Sequence, residues 1–195
     1  MQFRYAPGAT PLDLDEAAGL MPTHITTQAE LNAWEQFNVA QGERWSSRQT
    51  KRNLLEEAFV RDLHRHMFDK TWRWAEQFRH SNKNIGVDWS HVTVKLRELL
   101  DNTQYQLDHH VVDVDELVVR FHHQLVWIHP FANGNGRHAR LMADLLAIRW
   151  GRTRLSWGGG EGALVASSSL RDRYLSALRA ADQGQYSDLM AFARS

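Results

Sequence analysis

Apolar residues recur at helical spacing through most of the chain, which predicts an all-α fold. The pattern is clearest in two consecutive segments, whose apolar faces carry Val118, Phe121, Leu125 and Ile128, and then Leu141, Leu145 and Ile148. Asp113, with Glu116 three residues later, favours a cap at the start of the first helix. Gly151 favours the end of the second helix. A short polar loop is therefore predicted between them.

The same periodicity predicts helices elsewhere. A capping-box pattern runs from Thr27 to Glu30, and the helix that follows is expected to turn Leu31, Trp34 and Phe37 inward. Helices are also predicted over about residues 53–68 and 91–108. Their apolar faces carry Leu55, Phe59, Leu63 and Met67, and then Leu96, Leu100, Thr103 and Leu107. The last two predicted helices carry Leu170, Tyr174 and Leu178, and then Tyr186, Leu189 and Phe192.

Three segments lack this pattern. The first 25 or so residues contain Pro7, Gly8, Pro11, Gly19 and Pro22, which predicts an irregular arm. Over residues 72–87, polar turn residues separate two short apolar runs, which predicts a small β-hairpin. An exposed hairpin edge can accept the backbone of another segment as an added strand. Residues 157–162 are a glycine-rich connection without the Lys and Ser/Thr of a P-loop, and we expect it to border a nucleotide.

The composition of the chain argues against several classes of protein. The chain has 195 residues, of which 43% are hydrophobic and 24% charged, as in an ordinary globular domain. Its net charge of +0, without a basic block, argues against nucleic-acid binding. The absence of Cys excludes disulfides and fits a reducing cytoplasm. No apolar run approaches membrane-spanning length and no secretory h-region begins the chain, so we expect a cytoplasmic protein without membrane contact.

The polar loop carries the candidate chemistry. Residues 129–140 read His-Pro-Phe-Ala-Asn-Gly-Asn-Gly-Arg-His-Ala-Arg. The loop ends at a helix N-terminus, which has free backbone N–H groups and the positive end of the helix dipole. Gly134 and Gly136 let the backbone approach a ligand, and Arg137 and Arg140 lie on the same side of the first turns. The pattern predicts a polyphosphate site, with His129 at its rim as a base.

These twelve residues resemble the motif of the Fic family, His-Pro-Phe-x-Asp/Glu-Gly-Asn-Gly-Arg-x-x-Arg. The sequence departs from this motif only at Asn133. Its motif residues most resemble those of a bacterial subgroup called mobile mystery protein B. Weaker resemblance to the family extends over about residues 55–195. It implies a Fic-type helical bundle with a small β-hairpin flap, forming a domain over residues 55–195. An N-terminal arm with a short helix, residues 1–54, precedes that domain.

Fic proteins mostly transfer AMP from ATP to a Ser, Thr or Tyr hydroxyl of a target protein. The resemblance implies His129 as the general base, Phe131 as the residue that fixes the loop in the core, and Asn133 at the Mg²⁺ position. It implies a nucleotide-binding set made of Gly134, Asn135, Gly136, Arg137 and Arg140. In that set, Arg137 holds the leaving pyrophosphate and Arg140 the γ-phosphate. ATP and Mg²⁺ are the implied substrate and cofactor.

Several alternatives stay open. The phosphorylating Doc branch has Lys at the position of Gly136, so Gly136 favours AMP transfer. Asn133 is neutral, so either the phosphates hold the metal or transfer is slow. The chain could also transfer another phosphate-containing group, or serve as a non-catalytic nucleotide- or partner-binding module with an antitoxin-like partner. A homo-oligomer is also open. The other histidines lack a His-Glu-x-x-His pattern, so no zinc site is expected.

The resemblance also implies a docking surface and a restraint. The family's flap holds the target segment, and its residues here are Asn82, Lys83, Asn84, Ile85 and Gly86. Many Fic proteins carry an inhibitory helix, Ser/Thr-x-x-x-Glu-Gly/Asn, whose Glu pairs with the second motif arginine. Thr26-x-x-x-Glu30 fits this pattern except at Leu31, so Glu30 is the first inhibitory candidate and Glu35 the second. The capping box is the competing explanation for Glu30.

Overall fold

The computed structural model describes residues 10–159 and 169–195, and these residues are mostly helical. The helices are α1 (Leu14–Ala17), α2 (Gln28–Ser46), α3 (Glu57–Phe68), α4 (Val92–Asp108), α5 (Val114–Ile128), α6 (Asn135–Arg149), α7 (Ser169–Asp182) and α8 (Ser187–Ala193). A 3₁₀ turn, Trp89–His91, precedes α4. In these two ranges, no helix has both the length and the apolar character that a membrane span requires.

Helices α5 and α6 form the centre of the fold, because α5 packs on α4, α6 and α8, and α6 packs also on α3. The predicted apolar face of α5 is confirmed, since Val118, Phe121, Leu125 and Ile128 are all buried. Asp113 caps this helix by accepting the Asp115 N–H at 2.8 Å. The residues between α5 and α6 are therefore anchored at both ends in the core.

The predicted apolar face of α6 is only partly right. Leu141 is buried, but Ile148 is 54% exposed. The buried face instead includes Met142, Ala143, Leu146 and Ala147. Because α6 contacts both α3 and α5, its buried face is broader than one apolar stripe, and it is turned away from Ile148. Gly151 follows the helix with φ 78°, as the sequence predicts.

Helix α2 buries polar side chains that the apolar pattern does not identify. The predicted capping box is confirmed: the Thr27 hydroxyl accepts the Glu30 N–H at 3.2 Å, and Glu30 accepts the Thr27 N–H at 2.9 Å. Phe37 is 57% exposed, so its predicted inward position is wrong. Glu35 and Asn38 are buried in its place, facing α3 and the chain that follows it.

Helices α3 and α4 also differ in detail from prediction. Helix α3 begins at Glu57, so Leu55 precedes it, while Phe59, Leu63 and Met67 are fully buried as expected. Helix α4 matches its predicted range, but Leu107 is half-buried rather than buried. Residues 1–9 and 160–168, which include Pro7, Gly8 and part of the glycine-rich connection, lie outside the described residues. The proposed boundary at residue 54 stays a prediction.

The predicted β-hairpin is not confirmed. Residues 73–77 and 79–88 adopt turns and bends, and the part of the chain that the structure describes contains only isolated antiparallel bridges, Leu20 with Trp72 and Phe78 with Phe131. The two bridges join this segment to distant parts of the chain, and neither joins one half of the segment to the other. Its backbone and side chains bond to the arm and to the polar loop, which explains why a local turn pattern misidentified it.

Candidate active site

His129 terminates α5 in a left-handed conformation, with φ 55° and ψ 61°. Its own N–H still bonds to the Leu125 carbonyl at 3.2 Å. The turn brings Nδ1 to 3.3 Å from the Val126 carbonyl oxygen, which only accepts hydrogen bonds. Nδ1 therefore carries the hydrogen, and Nε2 keeps a free lone pair. Nε2 faces the Thr10 hydroxyl oxygen at 3.1 Å.

The His129 ring is neutral at physiological pH. It is 5% exposed, and burial lowers its pKa to about 4, with the Arg79 and Lys83 charges acting in the same direction. A neutral imidazole with its Nε2 lone pair directed at a hydroxyl has the protonation state that a general base requires.

Arg79 fixes the segment before α4 onto the loop. Its Nε donates to the His129 carbonyl at 2.7 Å, its Nη1 donates to the Ser81 carbonyl at 2.8 Å, and its Nη2 donates to the Val87 carbonyl. Its backbone N–H donates to the Pro130 carbonyl at 2.9 Å. Arg79 is 3% exposed, so one buried residue ties the loop to residues 79–87.

The loop closes on itself through Asn135. The Phe131 N–H donates to Asn135 Oδ1 at 2.9 Å, and Asn135 Nδ2 donates to the Phe131 carbonyl at 2.7 Å. Both side-chain groups of Asn135 are therefore used inside the loop. Only its backbone N–H, at the first turn of α6, remains for the phosphate cradle that the sequence predicts.

His64 of α3 packs against the same loop and bonds to it. Its ring stacks on Phe131 with centroids 3.7 Å apart, and Phe131 is fully buried. His64 Nε2 lies 3.0 Å from the Asn133 carbonyl, and Nδ1 contacts the Ala75 carbonyl. Burial lowers the pKa of His64 to about 4, although both carbonyls favour the protonated ring.

Gly134 is the N-cap of α6, and any other residue there would be strained. Its φ is 78°, and a Cβ there would lie 2.5 Å from Phe68 Cζ. Gly136 differs, because it is helical and a Cβ would meet only Arg140 Nη1, at 3.5 Å. The Arg140 guanidinium thus lies back over the first turn of α6, beside the free backbone N–H groups.

The two motif arginines have different surroundings. Arg137 Nη2 donates to Glu35 Oε2 at 2.8 Å, and its guanidinium lies over the Phe68 ring, 4.9 Å from the centroid. Arg140 is 4% exposed and lies 5.7 Å from the Tyr174 ring centroid. Both positively charged groups stand at the N-terminus of α6, as expected for an anion site.

The structure separates the two glutamate candidates. Glu30 is occupied locally, since its Oε2 accepts the N–H groups of Thr26 and Thr27 at 2.8 and 2.9 Å, and these bonds lower its pKa to about 2. Glu35 reaches the motif: besides Arg137, it accepts the Trp72 indole N–H at 2.7 Å. The resemblance implies that an inhibitory glutamate pairs with the second motif arginine, Arg140. In the structure, Glu35 pairs with the first motif arginine, Arg137.

Asn133 and the flap residues complete the predicted set. Asn133 Oδ1 accepts the Gly134 N–H at 2.6 Å. Within residues 10–159 and 169–195, no three His, Asp or Glu side chains are grouped so as to hold a metal ion. Gly86 lies against His129, because a Cβ on Gly86 would be 2.7 Å from His129 Cβ. The other predicted flap residues are Asn82, Lys83, Asn84 and Ile85.

These flap residues have distinct roles in the structure. Asn82 bonds to Asp88 and to the Trp89 N–H, both at 2.9 Å. Lys83 is paired with Asp13 at 2.8 Å and Glu16 at 2.5 Å, and its side chain is 2% exposed. Ile85 is 42% exposed. Gly86 therefore lies beside His129, and Ile85, its neighbour in the chain, is accessible.

Residues 54–147 match the model of the Fic/DOC family. The match covers 94 of the 195 residues. None of the curated proteins compared with the chain matches it.

Solved Fic structures share the fold of nearly the whole chain. One is BepC of Bartonella tribocorum with bound AMPPNP, with 16% identity, a TM-score of 0.68, and 93% of this chain and 97% of that chain covered. Another is the N-terminal Fic domain of a Bartonella quintana effector with bound ADP, with 17% identity, a TM-score of 0.64, and 88% and 86% covered. A Fic protein of Bacteroides thetaiotaomicron has 20% identity, a TM-score of 0.58, and 87% and 65% covered. This chain therefore spans about two thirds of the length of that last protein.

The Fic motif identifies the centre of this site but not everything around it. His64 and Arg79 lie outside the twelve-residue motif, within the weaker resemblance over residues 55–195. The structure shows that both hold the motif loop. Trp72, which orients Glu35, and Thr10, which contacts His129, carried no sequence signal. Their positions depend on contacts between residues far apart in the chain.

Proposed function

We propose that this chain transfers AMP from ATP to a Ser, Thr or Tyr hydroxyl of a target protein, with His129 as general base. The observation that carries the proposal is the neutral His129 ring, whose Nε2 already faces a hydroxyl oxygen at 3.1 Å. This ring stands beside a helix N-terminus with two arginines, a combination suited to in-line transfer from a polyphosphate.

The Fic structures with AMPPNP and ADP support ATP as the donor. The phosphates would lie on the first N–H groups of α6, with Arg137 on the leaving pyrophosphate and Arg140 on the γ-phosphate. Gly136 leaves space above this turn, since a Cβ there would meet only Arg140. That space favours AMP transfer over phosphorylation. We also propose that the chain is related to the mobile mystery protein B subgroup.

Mg²⁺ would neutralise charge on the phosphates during transfer. Asn133 would hold it through Oδ1, which is now bonded to the Gly134 N–H. An amide oxygen is a neutral ligand, and Mg²⁺ prefers carboxylate and phosphate oxygens. We therefore propose that the nucleotide phosphates supply most of the metal's ligands, and that this site binds Mg²⁺ less tightly than a site with Asp or Glu.

We propose that Glu35, and not Glu30, restrains the site. Glu35 is 4% exposed and holds Arg137 by a charge-assisted bond, so Arg137 is withheld from a pyrophosphate. Activation would require this bond to be exchanged for a bond to phosphate. A separate antitoxin-like chain and a cytoplasmic location remain predictions. The target segment would dock on Ile85 and Gly86, beside His129.

Labelled ATP tests the function. The Glu35→Gln chain, with Mg²⁺ and cell-extract proteins as acceptors, is expected to transfer label from α-labelled but not from γ-labelled ATP. His129→Ala in the same background should reduce transfer by about 10²- to 10⁴-fold and leave ATP affinity by calorimetry nearly unchanged. Transfer from γ-labelled ATP would identify phosphorylation instead. ATP binding without transfer from either label would identify a binding module.

A further inference from the structure

The hydroxyl that faces His129 belongs to the chain itself. Thr10 is 8% exposed, and its Oγ1 lies 3.1 Å from His129 Nε2, although the two residues are 119 positions apart. Because Nδ1 holds the hydrogen that faces the Val126 carbonyl, Nε2 accepts and the Thr10 hydroxyl donates. This is the arrangement that a target hydroxyl requires before proton transfer to the base.

The arm that carries Thr10 is fixed across the active-site segment by several contacts. Lys83 binds Asp13 and Glu16, and Ser81 donates to Asp13 at 2.5 Å. Farther along, the Met21 N–H donates to the Thr71 carbonyl at 2.9 Å and the Arg73 N–H to the Gly19 carbonyl at 3.0 Å. These contacts begin three residues after Thr10, so they restrict the position of its hydroxyl.

The arm also occupies groups that a target segment would need. The residue before a proline favours an extended backbone, and Pro11 follows Thr10. The antiparallel bridge between Leu20 and Trp72 shows that the arm pairs with this segment through backbone groups. Lys83, a predicted flap residue, is occupied by arm carboxylates. An external target would therefore have to displace the arm.

We propose that Thr10 is an acceptor of the transferred nucleotide, so that the chain modifies itself before it modifies another protein. The inference rests on the proposed function. Thr10 Oγ1 would attack the α-phosphorus of ATP and form a P–O bond while its proton passes to His129 Nε2. The bond between the α-phosphorus and the oxygen that bridges to the β-phosphate breaks, and pyrophosphate leaves with that electron pair.

Self-modification would change access to the site. A nucleotidyl group is bulky and negatively charged, and the contact between Thr10 and His129 is buried. The modified Thr10 therefore cannot stay in place, and the arm would leave His129. Nε2 would then be free for a second hydroxyl. Thr10 thus blocks the site at first and opens it after one turnover.

The experiment is peptide mapping by mass spectrometry after incubation with Mg²⁺ and α-labelled ATP, on the wild-type and Glu35→Gln chains. The expected result is one AMP on Thr10 of both chains, reached sooner with Glu35→Gln. Thr10→Ser should keep the modification. Thr10→Val, which replaces the hydroxyl by a methyl group of similar size, should lose it. Thr23→Val is the matched control, because Thr23 is exposed on the same arm, and it should be modified at Thr10 as the wild type is.

A second variant tests the placement of the arm. Asp13→Asn combined with Glu16→Gln removes both ion pairs to Lys83 and should slow Thr10 modification at least several-fold. Label on extract proteins with none on Thr10 would overturn the acceptor role and leave the proposed function intact. If Thr10→Val speeds labelling of those proteins while wild-type Thr10 stays unlabelled, Thr10 only blocks the base. No label on any protein, even with Glu35→Gln, would overturn both proposals.

Discussion

Two parts of the molecule form the candidate site, and different contacts hold them. One is the loop over residues 129–137, and the other is the cover formed by Thr10, Asp13, Glu16 and Glu35. The loop is fixed by backbone carbonyls, by the Asn135 amide and by Phe131 stacked in the core. The cover contacts the site through ion pairs and one hydroxyl. Side-chain contacts of this kind can be exchanged for a ligand without unfolding the core. The position of the loop is therefore fixed by the core, whereas the contacts of the cover are exchangeable.

The largest expected effect comes from the loop. Gly134→Ala forces a left-handed residue and a Cβ 2.5 Å from Phe68 Cζ, so it should lower the free energy of unfolding by roughly 2–5 kcal/mol and abolish nucleotide binding. Gly136→Ala is the matched control, because it is helical and its Cβ meets only Arg140 Nη1, and it should fold normally. Denaturant unfolding measures both variants. Equal stability of the two would show that the loop is not tightly constrained.

Acid should weaken the loop before the cover. His64 and His129 are buried with pKa values of about 4, beside Arg137 and His138 for the first, and beside Arg79 and Lys83 for the second. Unfolded histidines take up protons below about pH 6.5 while these stay neutral. Stability should therefore be full above that pH and fall by about 1.4 kcal/mol per pH unit per histidine down to about pH 4. The carboxylate of Asp13 stays ionised over that window, because its bond to Lys83 lowers its pKa.

The free energy of unfolding, measured between pH 7 and pH 4, tests whether the buried histidines cause this loss of stability. His64→Gln, which keeps hydrogen-bonding groups but does not titrate, should reduce the pH slope although it lowers stability overall. An unchanged slope would mean that His64 is not the group responsible.

Removing one charge from the cover should have the next largest effect. Glu35→Gln keeps an acceptor for the Trp72 indole but loses the charge that holds Arg137, so transfer should rise roughly tenfold or more. Glu30→Gln is the same chemical change in a capping box that accepts Gln, and it should leave transfer unchanged and lower the melting temperature slightly. If the transfer rate rose with Glu30→Gln and not with Glu35→Gln, Glu30 would be the residue that restrains the site.

The smallest effect is expected at the metal position. Asn133→Asp should lower the Mg²⁺ concentration for half-maximal transfer several-fold, because a carboxylate adds charge where the family has an acid. The contrast is Asn135→Asp, which places a carboxylate against the Phe131 carbonyl in place of the amide that now donates to it, and should lose activity. A Mg²⁺ titration in which Asn133→Asp shows no gain would mean that the metal is held without this side chain.

The sequence alone determined the parts that depend on neighbours in the chain. Helical spacing predicted α5, α4 and the capping box of α2, since periodicity and caps are local properties. Twelve consecutive residues revealed the resemblance to the Fic motif and made His129 the candidate base. The anion site could be inferred because a helix N-terminus after glycines has the same free N–H groups in any fold.

Tertiary structure decided what distant segments do to one another. It exposed Phe37 and buried Glu35, because the face of a helix that turns inward depends on its partner and not only on its apolar residues. It replaced the predicted hairpin by pairing with the arm and the loop, since backbone groups bond to whichever segment reaches them. It also brought Thr10 to His129 across 119 positions, and no local pattern encodes a contact of that range.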